Sequence, residues 1–345
     1  MTGTVTAPIS VGVIGAGRIG RLHAELLARR IPGASVGAVY DVHPPCAAGV
    51  AADLDVPAAA SVEEVLDGDI DAVAVCSSAD THVELMMAAA EAGKAIFCEK
   101  PVSLDLAELD RGLEAVRRAG VPFQVGFNRR FDPGHASVAE AVAAGRIGDP
   151  HLVRISSRDP EPPPLAYVRT SGGLFLDMMI HDFDMARFVT GSEVVEVFAR
   201  GAVRVAPDFA SVGDVDTALV TLVHANGCLT AIDNSRRAAY GFDQRVEVFG
   251  SLGMAASENP YAHAGVVTTA AGAQRPPLPH FFLERYMASY EREWQAFVDA
   301  LRRRTAPPVD LADARAPLVI GLAAWDSLRE GRPVRLEELA EATGG

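Results

Sequence analysis

The chain contains 345 residues, of which 49% are hydrophobic, and it carries a formal net charge of -14 at pH 7. This length favours two domains over one, and the hydrophobic fraction is sufficient for a core in each. The negative charge argues against nucleic acid and anionic membrane surfaces as partners, because both would repel the protein, and it favours a small molecule.

The beginning of the chain shows no targeting segment. Residues 1–10 contain no basic segment followed by an apolar one, and no stretch of about 18 apolar residues occurs in the sequence. We therefore expect a cytoplasmic protein without a membrane span. The four cysteines, Cys46, Cys76, Cys98 and Cys228, lie too far apart for a zinc motif. Cys76 and Cys98 are expected to act as small core residues.

The first motif is a glycine-rich loop between a predicted strand and a predicted helix, in SVGVIGAGRIGRLHAELLARR. Gly15, Gly17 and Gly20 match G-x-G-x-x-G, the pattern of dinucleotide-binding loops. The glycines permit a tight turn, close approach of the backbone to a pyrophosphate, and packing of the helix on the strand. Contact with the cofactor is therefore predicted for Gly15, Ala16, Gly17, Arg18 and Ile19.

The next predicted strand, in ASVGAVYDVH, ends at Asp41, about twenty residues after the glycines. A carboxylate there accepts hydrogen bonds from the adenosine ribose and repels a 2′-phosphate. The following residues, Val42, His43 and Pro44, supply no arginine for such a phosphate. NAD is therefore predicted rather than NADP, with the alternative that Asp41 is only a polar strand end.

Three further strands, in DIDAVAVCSS, KAIFCEKP and PFQVGFN, alternate with helical segments. This alternation predicts an α/β Rossmann domain, a doubly wound parallel sheet, over residues 1–128. Ligands of such sheets bind at the carboxyl ends of the strands. The residues that follow these strands are therefore candidate ligands of cofactor or substrate: Ser77, Ser78, His82, Glu99, Lys100, Asn128 and Arg129.

Lys100 has the most informative position in that set. It is flanked by Glu99, a counter-ion, and by Pro101, which stiffens the turn. At the mouth of a cleft, a lysine hydrogen-bonds a substrate hydroxyl and favours its deprotonation. The alternative is a surface lysine without function at a strand end.

The pattern of short β segments in residues 129–345 predicts a second domain. Six β segments follow at short intervals: HLVRISSR, VVEVFARGAV, VDTALVTLVHA, GCLTAIDNS, DQRVEVFG and GVVTT. Two of them are joined at Asn226-Gly227, a strong hairpin signal. Together they predict an α+β domain with a large, mostly antiparallel open sheet, one face of which is covered by helices such as FLERYMASYEREWQAFVDALRRR. The uncovered face predicts a homo-oligomer, because a second subunit usually covers such a surface.

The segment SGGLFLDMMIHDFD, residues 171–184, combines the apolar faces of a buried helix with four ionisable side chains. Buried charges need partners, a wet cavity or a chemical task. Asp177 and His181 are four residues apart and share one face of an α-helix, where the carboxylate would raise the basicity of the imidazole. Such a histidine suits removal of a proton from an alcohol as hydride leaves the same carbon.

Other interpretations of these side chains stay open. Asp177 and His181 form a structural ion pair in one of them. In another they are half of a metal site, which is disfavoured because no further ligand stands at suitable spacing, so no metal is predicted. In a third, at least one of Asp182 and Asp184 is solvated or binds local backbone groups. The cofactor motifs in the first half of the chain favour the catalytic interpretation.

These motifs together resemble the glucose-fructose oxidoreductase and inositol dehydrogenase (Gfo/Idh/MocA) family along nearly the whole chain. The matching segments are GVIGAGRIGRLHAELL, CEKPVSLD, GFNRRFDP, SGGLFLDMMIHDFDMARF and PVDLADARAPLVIGLAAWDSLREGRPVRL. Within the family, SGGLFLDMMIHDFD and IDNSRRAAYGFDQRVEVFG are most similar to the inositol 2-dehydrogenases.

The resemblance implies a tetramer and a catalytic set in which His181 is the general base, Asp177 supports it and Lys100 bridges substrate and nicotinamide. Ser157 and Asp159 stand where some inositol dehydrogenases carry His and Asn, which leaves the preferred stereoisomer open. The residues implied to bind substrate are Lys100, Asn128, Arg129, Asp159, Asp177, His181, Asn234 and Tyr240.

The resulting expectation is an NAD-dependent dehydrogenase that oxidises myo-inositol to 2-keto-myo-inositol (scyllo-inosose) without a metal. One alternative is a dehydrogenase of scyllo-inositol, of another inositol isomer or of an aldose. A further alternative is an NAD-binding sensor without catalysis. The sensor is disfavoured because Lys100, Asp177 and His181 are all present, and idle relatives commonly lose such groups.

Overall fold

The computed structural model describes residues 7–342, and the side chains of residues 7–339. The chain divides into two compact units. The first contains the residues up to Phe127 together with Tyr290–Arg315, and the second contains Asn128–Ser289 together with the residues from Ala316 onward. Residues 290–315, which the sequence placed in the second domain, therefore belong to the first unit.

The first unit is built on a parallel sheet. Its strands are β1 (Ile9–Ile14), β2 (Ala34–Tyr40), β3 (Ala72–Val75), β4 (Ala95–Cys98) and β5 (Phe123–Val125). The strand order is β2-β1-β3-β4-β5, and every pair is parallel. The connecting helices are α1 (Arg18–Arg29), α2 (Pro44–Leu54), α3 (Val62–Leu66), α4 (Ala79–Glu91) and α5 (Leu106–Ala119). The predicted Rossmann sheet is confirmed.

The central strands of this sheet are buried along their whole length. This is true of AVAV in β3 and AIFC in β4, as expected where helices cover both faces of a parallel sheet. Cys76 and Cys98 are 4% and 0% exposed, and burial raises the pKa of both thiols well above the usual value. Both cysteines are core residues, as predicted.

The second unit carries the remaining elements. Its strands are β6 (Pro150–Arg158), β7 (Val194–Ala202), β8 (Thr217–His224), β9 (Leu229–Ser235), β10 (Asp243–Gly250), β11 (Gly253–Ser257), β12 (Val267–Thr269), β13 (Gly272–Gln274) and β14 (Val334–Arg335). Its helices are α6 (Pro133–Ala143), α7 (Leu165–Val168), α8 (Ile180–Thr190), α9 (Phe282–Arg303), α10 (Leu311–Glu330) and α11 (Leu336–Ala342). The last part of α9 and the first part of α10 belong to the first unit.

Seven of these strands form an open sheet in the order β11-β10-β6-β9-β8-β7-β14. Only β6 and β9 pair in parallel, so the predicted mostly antiparallel sheet is confirmed. The turn between β8 and β9 contains Gly227 with a φ of 85°, a conformation that favours glycine, and the predicted hairpin is present.

One predicted strand lies elsewhere. The segment GVVTT contains β12, which pairs with β13 in a separate exposed hairpin instead of joining the large sheet. In the sheet, every second residue is buried, as in β8, because one face packs on the core. Valine and threonine at successive positions of GVVTT offer no such alternation, so they do not define a buried face.

Helices cover one face of the large sheet. Val153 of β6, Val220 of β8 and Ile232 of β9 pack in one core with Phe175 and Phe183. Side chains at the alternate strand positions point to the opposite face.

Within residues 7–342, no helix is long and apolar enough to cross a membrane.

Candidate active site

The glycine loop joins β1 to α1 in the first unit. Gly15 has a φ of 97°, and a side chain there would lie 2.6 Å from the backbone of Cys76 and Ser77. A side chain on Gly20 would lie 1.8 Å from the carbonyl oxygen of Gly15, so α1 packs closely on the loop. No atom lies within 4 Å of a side-chain position on Gly17, which leaves room for a pyrophosphate. The loop therefore fits a dinucleotide.

The residues around these glycines differ in exposure. Ala16 is buried, Arg18 is exposed at the start of α1, and Ile19 is half-buried. Asp41 follows β2, where its Oδ2 accepts a hydrogen bond from the Ala16 N–H at 2.6 Å and its Oδ1 accepts one from the His43 N–H at 2.8 Å. The structure thus places the carboxylate beside the glycine loop, where the sequence predicted a contact with the ribose.

Asp41→Ala is expected to weaken discrimination against NADP. Two charges ~4 Å apart repel by ~1 kcal/mol even in the dielectric of bulk water, which corresponds to about fivefold in affinity. NADP affinity should therefore rise by at least about that factor relative to NAD, measured as the ratio of Kd values. Asp69→Ala, at an exposed position of the same unit, is the control. An unchanged cofactor preference in Asp41→Ala would remove Asp41 from this role.

His82, Ser77 and Ser78 lie around the loop between β3 and α4. The Ser77 hydroxyl is 2.6 Å from that of Thr81. The ring of His82 is buried, with Nδ1 2.9 Å from the Pro101 carbonyl oxygen and Nε2 3.1 Å from that of Ser77. Burial lowers the pKa of His82, and a neutral ring donates only one of these hydrogen bonds. This geometry favours a role in joining two loops over the predicted contact with the cofactor.

Glu99 and Lys100 follow β4. Glu99 is 8% exposed. Its Oε1 lies 2.7 Å from Nε2 of His23, and its Oε2 accepts a hydrogen bond from the backbone N–H of Lys100 at 3.2 Å. Lys100 is half-buried, and its bond to Pro101 is cis. The Glu99 carboxylate thus binds protein groups on both oxygens, whereas the sequence predicted a contact with the cofactor.

In the second unit, the segment predicted as one buried helix is divided. Leu174–Met178 forms a π-helical turn, and α8 begins at Ile180. Asp177 lies in the π-helical turn and His181 in the first turn of α8, so the assumption of one regular α-helix was wrong. Such π-helical turns often mark functional sites, where they re-aim side chains.

Two side chains hold the Asp177 carboxylate. The Tyr167 hydroxyl donates to Oδ1 at 2.8 Å, and Nη1 of Arg236 donates to Oδ2 at 3.1 Å. Arg236 is 1% exposed and its Nη2 lies 3.9 Å from Asp214. These contacts orient the carboxylate. Neither partner was predicted from the sequence. Arg236 lies 59 residues further along the chain, and no local pattern marks it.

Asp182 and Asp184 are each 1% exposed. Both form ion pairs with arginines of the turn Asn128–Phe131: Asp182 with Arg129 at 2.9 Å, and Asp184 with Arg130 at 2.6 Å. Neither carboxylate is solvated, so that part of the third interpretation was wrong. Each arginine compensates a buried charge. For Arg129, the structure therefore shows a partner within the protein where the sequence predicted cofactor and substrate.

Two buried asparagines of the second unit have a side-chain polar atom without a hydrogen-bond partner among the described residues, as do the glutamines Gln124 and Gln244. Asn234 donates from Nδ2 to Asp182 at 2.8 Å, which leaves its Oδ1 unpartnered. Nδ2 of Asn128 is the second such atom. An unpaired buried polar group costs about 1–3 kcal/mol, so these are positions at which a hydroxyl-rich ligand gains hydrogen bonds.

Asp159, at the end of β6, lies within the electrostatic reach of this cluster. Burial raises the pKa of its carboxyl to about 6, while the charge of Arg236 lowers it and that of Asp177 raises it further. Tyr240 differs, since it is 51% exposed. Its hydroxyl lies 2.7 Å from Asp243 and 2.8 Å from Arg158, so its predicted contact with substrate stays a prediction.

Asp159→Asn is expected to stabilise the protein in a pH-dependent way. In the folded protein the pKa of the Asp159 carboxyl is about 6, above the usual 3.8. The contribution of this carboxyl to stability is therefore fully present below a pH equal to the usual pKa, and it is lost as the pH rises through 6. At about pH 8 the substitution should raise the free energy of unfolding by up to about 3 kcal/mol, and at about pH 4 by little. Urea unfolding at both pH values measures this, with exposed Asp149→Asn as control. An equal effect at both pH values would contradict the assignment.

Within the described residues, no three His, Cys, Asp or Glu side chains are arranged to hold a metal ion. The first unit has the loop and carboxylate of a dinucleotide-binding domain, and the second has a cluster of buried ionisable groups. Together they define a two-domain NAD-binding oxidoreductase. Residues 9–127 match an oxidoreductase family with an NAD-binding Rossmann fold, and residues 135–256 match the GFO/IDH/MocA C-terminal domain. The chain belongs to the Gfo/Idh/MocA family, and the prediction of NAD as cofactor is confirmed.

Relatives match over nearly their whole length. The chain is 48% identical to the myo-inositol 2-dehydrogenase of Thermotoga maritima, over 95% of this chain and 99% of the relative. It is also 48% identical to the uncharacterised oxidoreductase YrbE of Bacillus subtilis, over 96% and 98%. A scyllo-inositol dehydrogenase from Lactobacillus casei, solved with NAD(H) and scyllo-inositol, superposes with a TM-score of 0.90 at 29% identity, over 96% and 99%. These relatives thus include inositol dehydrogenases and an oxidoreductase without an assigned substrate.

Proposed function

We propose that the protein oxidises myo-inositol with NAD to give 2-keto-myo-inositol. The observation that supports this most is the arrangement around Asp177, which Tyr167 and Arg236 hold in a π-helical turn directly before His181. The chain also contains an NAD-binding domain with Lys100 after a central strand. A relative of similar length and 48% identity is a myo-inositol 2-dehydrogenase.

In the proposed reaction, one C–H bond and one O–H bond of the substrate break and a carbonyl forms. His181 accepts the hydroxyl proton, and the negative charge of Asp177 stabilises the imidazolium. Lys100 donates a hydrogen bond to the same hydroxyl oxygen and favours its deprotonation. NAD supplies the acceptor for the hydride that leaves the carbon.

The use of lysine in this chain supports a special role for position 100. Lys94 and Lys100 are its two lysines, against 29 arginines. An arginine keeps its proton in proteins, whereas a lysine ammonium can release one. An ammonium at position 100 therefore suits a group next to proton transfer better than a guanidinium would.

The second unit offers groups that suit a polyol. A hydroxyl both donates and accepts hydrogen bonds, so it satisfies Oδ1 of Asn234 and Nδ2 of Asn128. Sites of this kind reject analogues without the matching hydroxyl, because buried polar groups are then left unpaired. We assign these two residues, together with Asp159, to substrate recognition.

A substrate panel tests the proposal. It contains myo-inositol, scyllo-inositol and other inositol isomers, glucose, galactose and xylose, each with NAD and with NADP. The highest kcat/KM is expected for myo-inositol with NAD. A preference for scyllo-inositol would favour the second candidate, which the structural match to a scyllo-inositol dehydrogenase supports. Activity with glucose and none with myo-inositol would show that the assignment of myo-inositol as substrate is wrong. NAD binding without turnover of any compound would favour a sensor.

The uncovered face of the large sheet supports a homotetramer as the working form. Leu219 of β8, Leu229 of β9 and Phe249 of β10 are 64%, 50% and 50% exposed on it. A second subunit would bury this apolar surface. Leu219→Glu is expected to lower the mass measured by light scattering, whereas Val42→Glu, an exposed apolar residue of the first unit, should leave it unchanged. A monomeric wild-type protein would contradict this assembly.

A further inference from the structure

His23 is a fully buried histidine, 0% exposed, on the helix that follows the glycine loop. Aromatic rings enclose it: the ring centroids of Phe97, Trp294 and Tyr290 lie 5.3, 5.6 and 5.7 Å from its own. An imidazole in such surroundings needs hydrogen bonds for both nitrogens. Neither the cofactor loop nor the proposed chemistry explains its presence.

The hydrogen bonds of His23 determine where its proton lies. The indole N–H of Trp294 points to Nδ1 of His23 at 2.8 Å. An indole nitrogen only donates, so Nδ1 accepts and carries no proton. The single imidazole proton is therefore on Nε2, from which it is donated to Oε1 of Glu99 at 2.7 Å. His23 thus accepts from one side and donates to the other.

Glu99 connects this histidine to Lys100. Its Oε2 accepts the backbone N–H of Lys100 at 3.2 Å. Gly126 closes the opposite side, because a side chain there would lie 3.2 Å from Oε1 and 3.3 Å from Oε2 of Glu99. The carboxylate is therefore confined between the imidazole, the Lys100 backbone and the backbone of Gly126.

The geometry points to a positioning relay in which Trp294 orients His23, His23 orients Glu99, and Glu99 holds the backbone at Lys100. This inference rests on the proposed role of Lys100. His23, Glu99 and Trp294 act through that lysine and do not touch the reacting atoms. Because a misplacement of about 1 Å costs about a hundredfold in rate, loss of the relay should slow hydride transfer more than it weakens NAD binding.

Substitutions at His23 separate positioning from packing. His23→Leu removes both hydrogen bonds, whereas His23→Gln keeps one acceptor and one donor. The leucine variant should lower kcat by about tenfold or more and raise the primary deuterium isotope effect, because hydride transfer becomes slower relative to product release. The glutamine variant should restore most of kcat. The isotope effect does not depend on the folded fraction of the enzyme.

Two further variants complete this experiment. Phe123→Leu is the matched control, since it removes a buried ring from β5 of the same unit and leaves His23, Glu99 and Trp294 in place. It should lower thermal stability and leave the isotope effect unchanged. Gly126→Ala displaces the Glu99 carboxylate from the other side. It should raise the isotope effect even if His23→Leu does not fold.

A second readout needs no turnover. Reductive carbon-13 methylation labels both lysines and the N-terminal amine and preserves their charge. The Lys94→Arg variant assigns the Lys94 signal, and the lower pKa of an α-amine separates its signal from that of Lys100. His23→Leu and Gly126→Ala should shift the Lys100 signal and leave that of Lys94 in place. Unchanged Lys100 signals in these variants, or an equal shift in Phe123→Leu, would overturn the relay. A wild-type enzyme that oxidises no polyol would instead overturn the proposed function, and the Lys100 signal would still decide about the relay.

Discussion

Replacing His181 by alanine is expected to lower kcat by about a hundredfold to ten-thousandfold, the usual contribution of a general base. His181 is half-buried in the first turn of α8, next to the π-helical turn that carries Asp177. The substitution removes the proposed acceptor of the hydroxyl proton. NAD affinity should change little, since we assign cofactor binding to the glycine loop and Asp41. Steady-state kinetics and a fluorescence titration with NADH measure the two effects.

His263→Ala is the control for this experiment, because His263 is an exposed histidine of the same unit. It should leave kcat unchanged. Added imidazole should restore part of the activity of His181→Ala. It should not change the activity of the control variant. Near-normal turnover of His181→Ala at neutral pH would show that the base assignment is wrong.

Lys100→Met should lower kcat by about a hundredfold or more, the usual cost of removing one donor that stabilises developing negative charge. Methionine has a similar length but neither charge nor donor. Lys100→Arg should restore little, because a guanidinium keeps its proton and has a different shape. Measured kcat and kcat/KM with saturating NAD give both results.

Lys94→Met is the matched control in a chain with two lysines. The Lys94 ammonium donates to the carbonyl oxygens of Gly68 and Ile70 at 3.2 and 2.9 Å. Its loss should reduce stability and leave kcat nearly unchanged. If Lys100→Met were as active as Lys94→Met, Lys100 would have no part in the chemistry.

The cofactor domain could be predicted from the sequence because its signals are local. The glycines lie within six residues of one another, from Gly15 to Gly20, and Asp41 ends the next strand. Each strand was recognisable by its apolar run, and the alternation of strands and helices implies the parallel sheet. The hairpin at Asn226-Gly227 is local in the same sense.

The partners of the buried charges could not be predicted, because they are distant in sequence. Asp182 pairs with Arg129, 53 residues earlier, and Arg236 reaches Asp177 over 59 residues. A single sequence does not distinguish a solvent-exposed aspartate from a buried aspartate that is paired with an arginine. The solvated interpretation of Asp182 and Asp184 was wrong for this reason.

Two further features depend on tertiary packing. The π-helical turn at Leu174–Met178 interrupts a segment whose apolar pattern predicts one regular α-helix. In the same way, Trp294 lies far along the chain from the strands of the first unit, yet its ring stacks on Phe97 with a centroid distance of 4.2 Å. The sequence therefore showed no sign that the part of α9 from Tyr290 onward belongs to the first unit.

Transfer of deuterium from substrate to cofactor shows whether this protein moves a hydride from myo-inositol to NAD. The wild-type protein is incubated with NAD and myo-inositol that carries deuterium on the carbon to be oxidised, and both products are examined by mass spectrometry. We expect deuterated NADH and unlabelled 2-keto-myo-inositol in equal amounts, with the rate strongly reduced in His181→Ala. Absence of deuterium from NADH in an otherwise active enzyme, or no NADH at all, would contradict the proposed function.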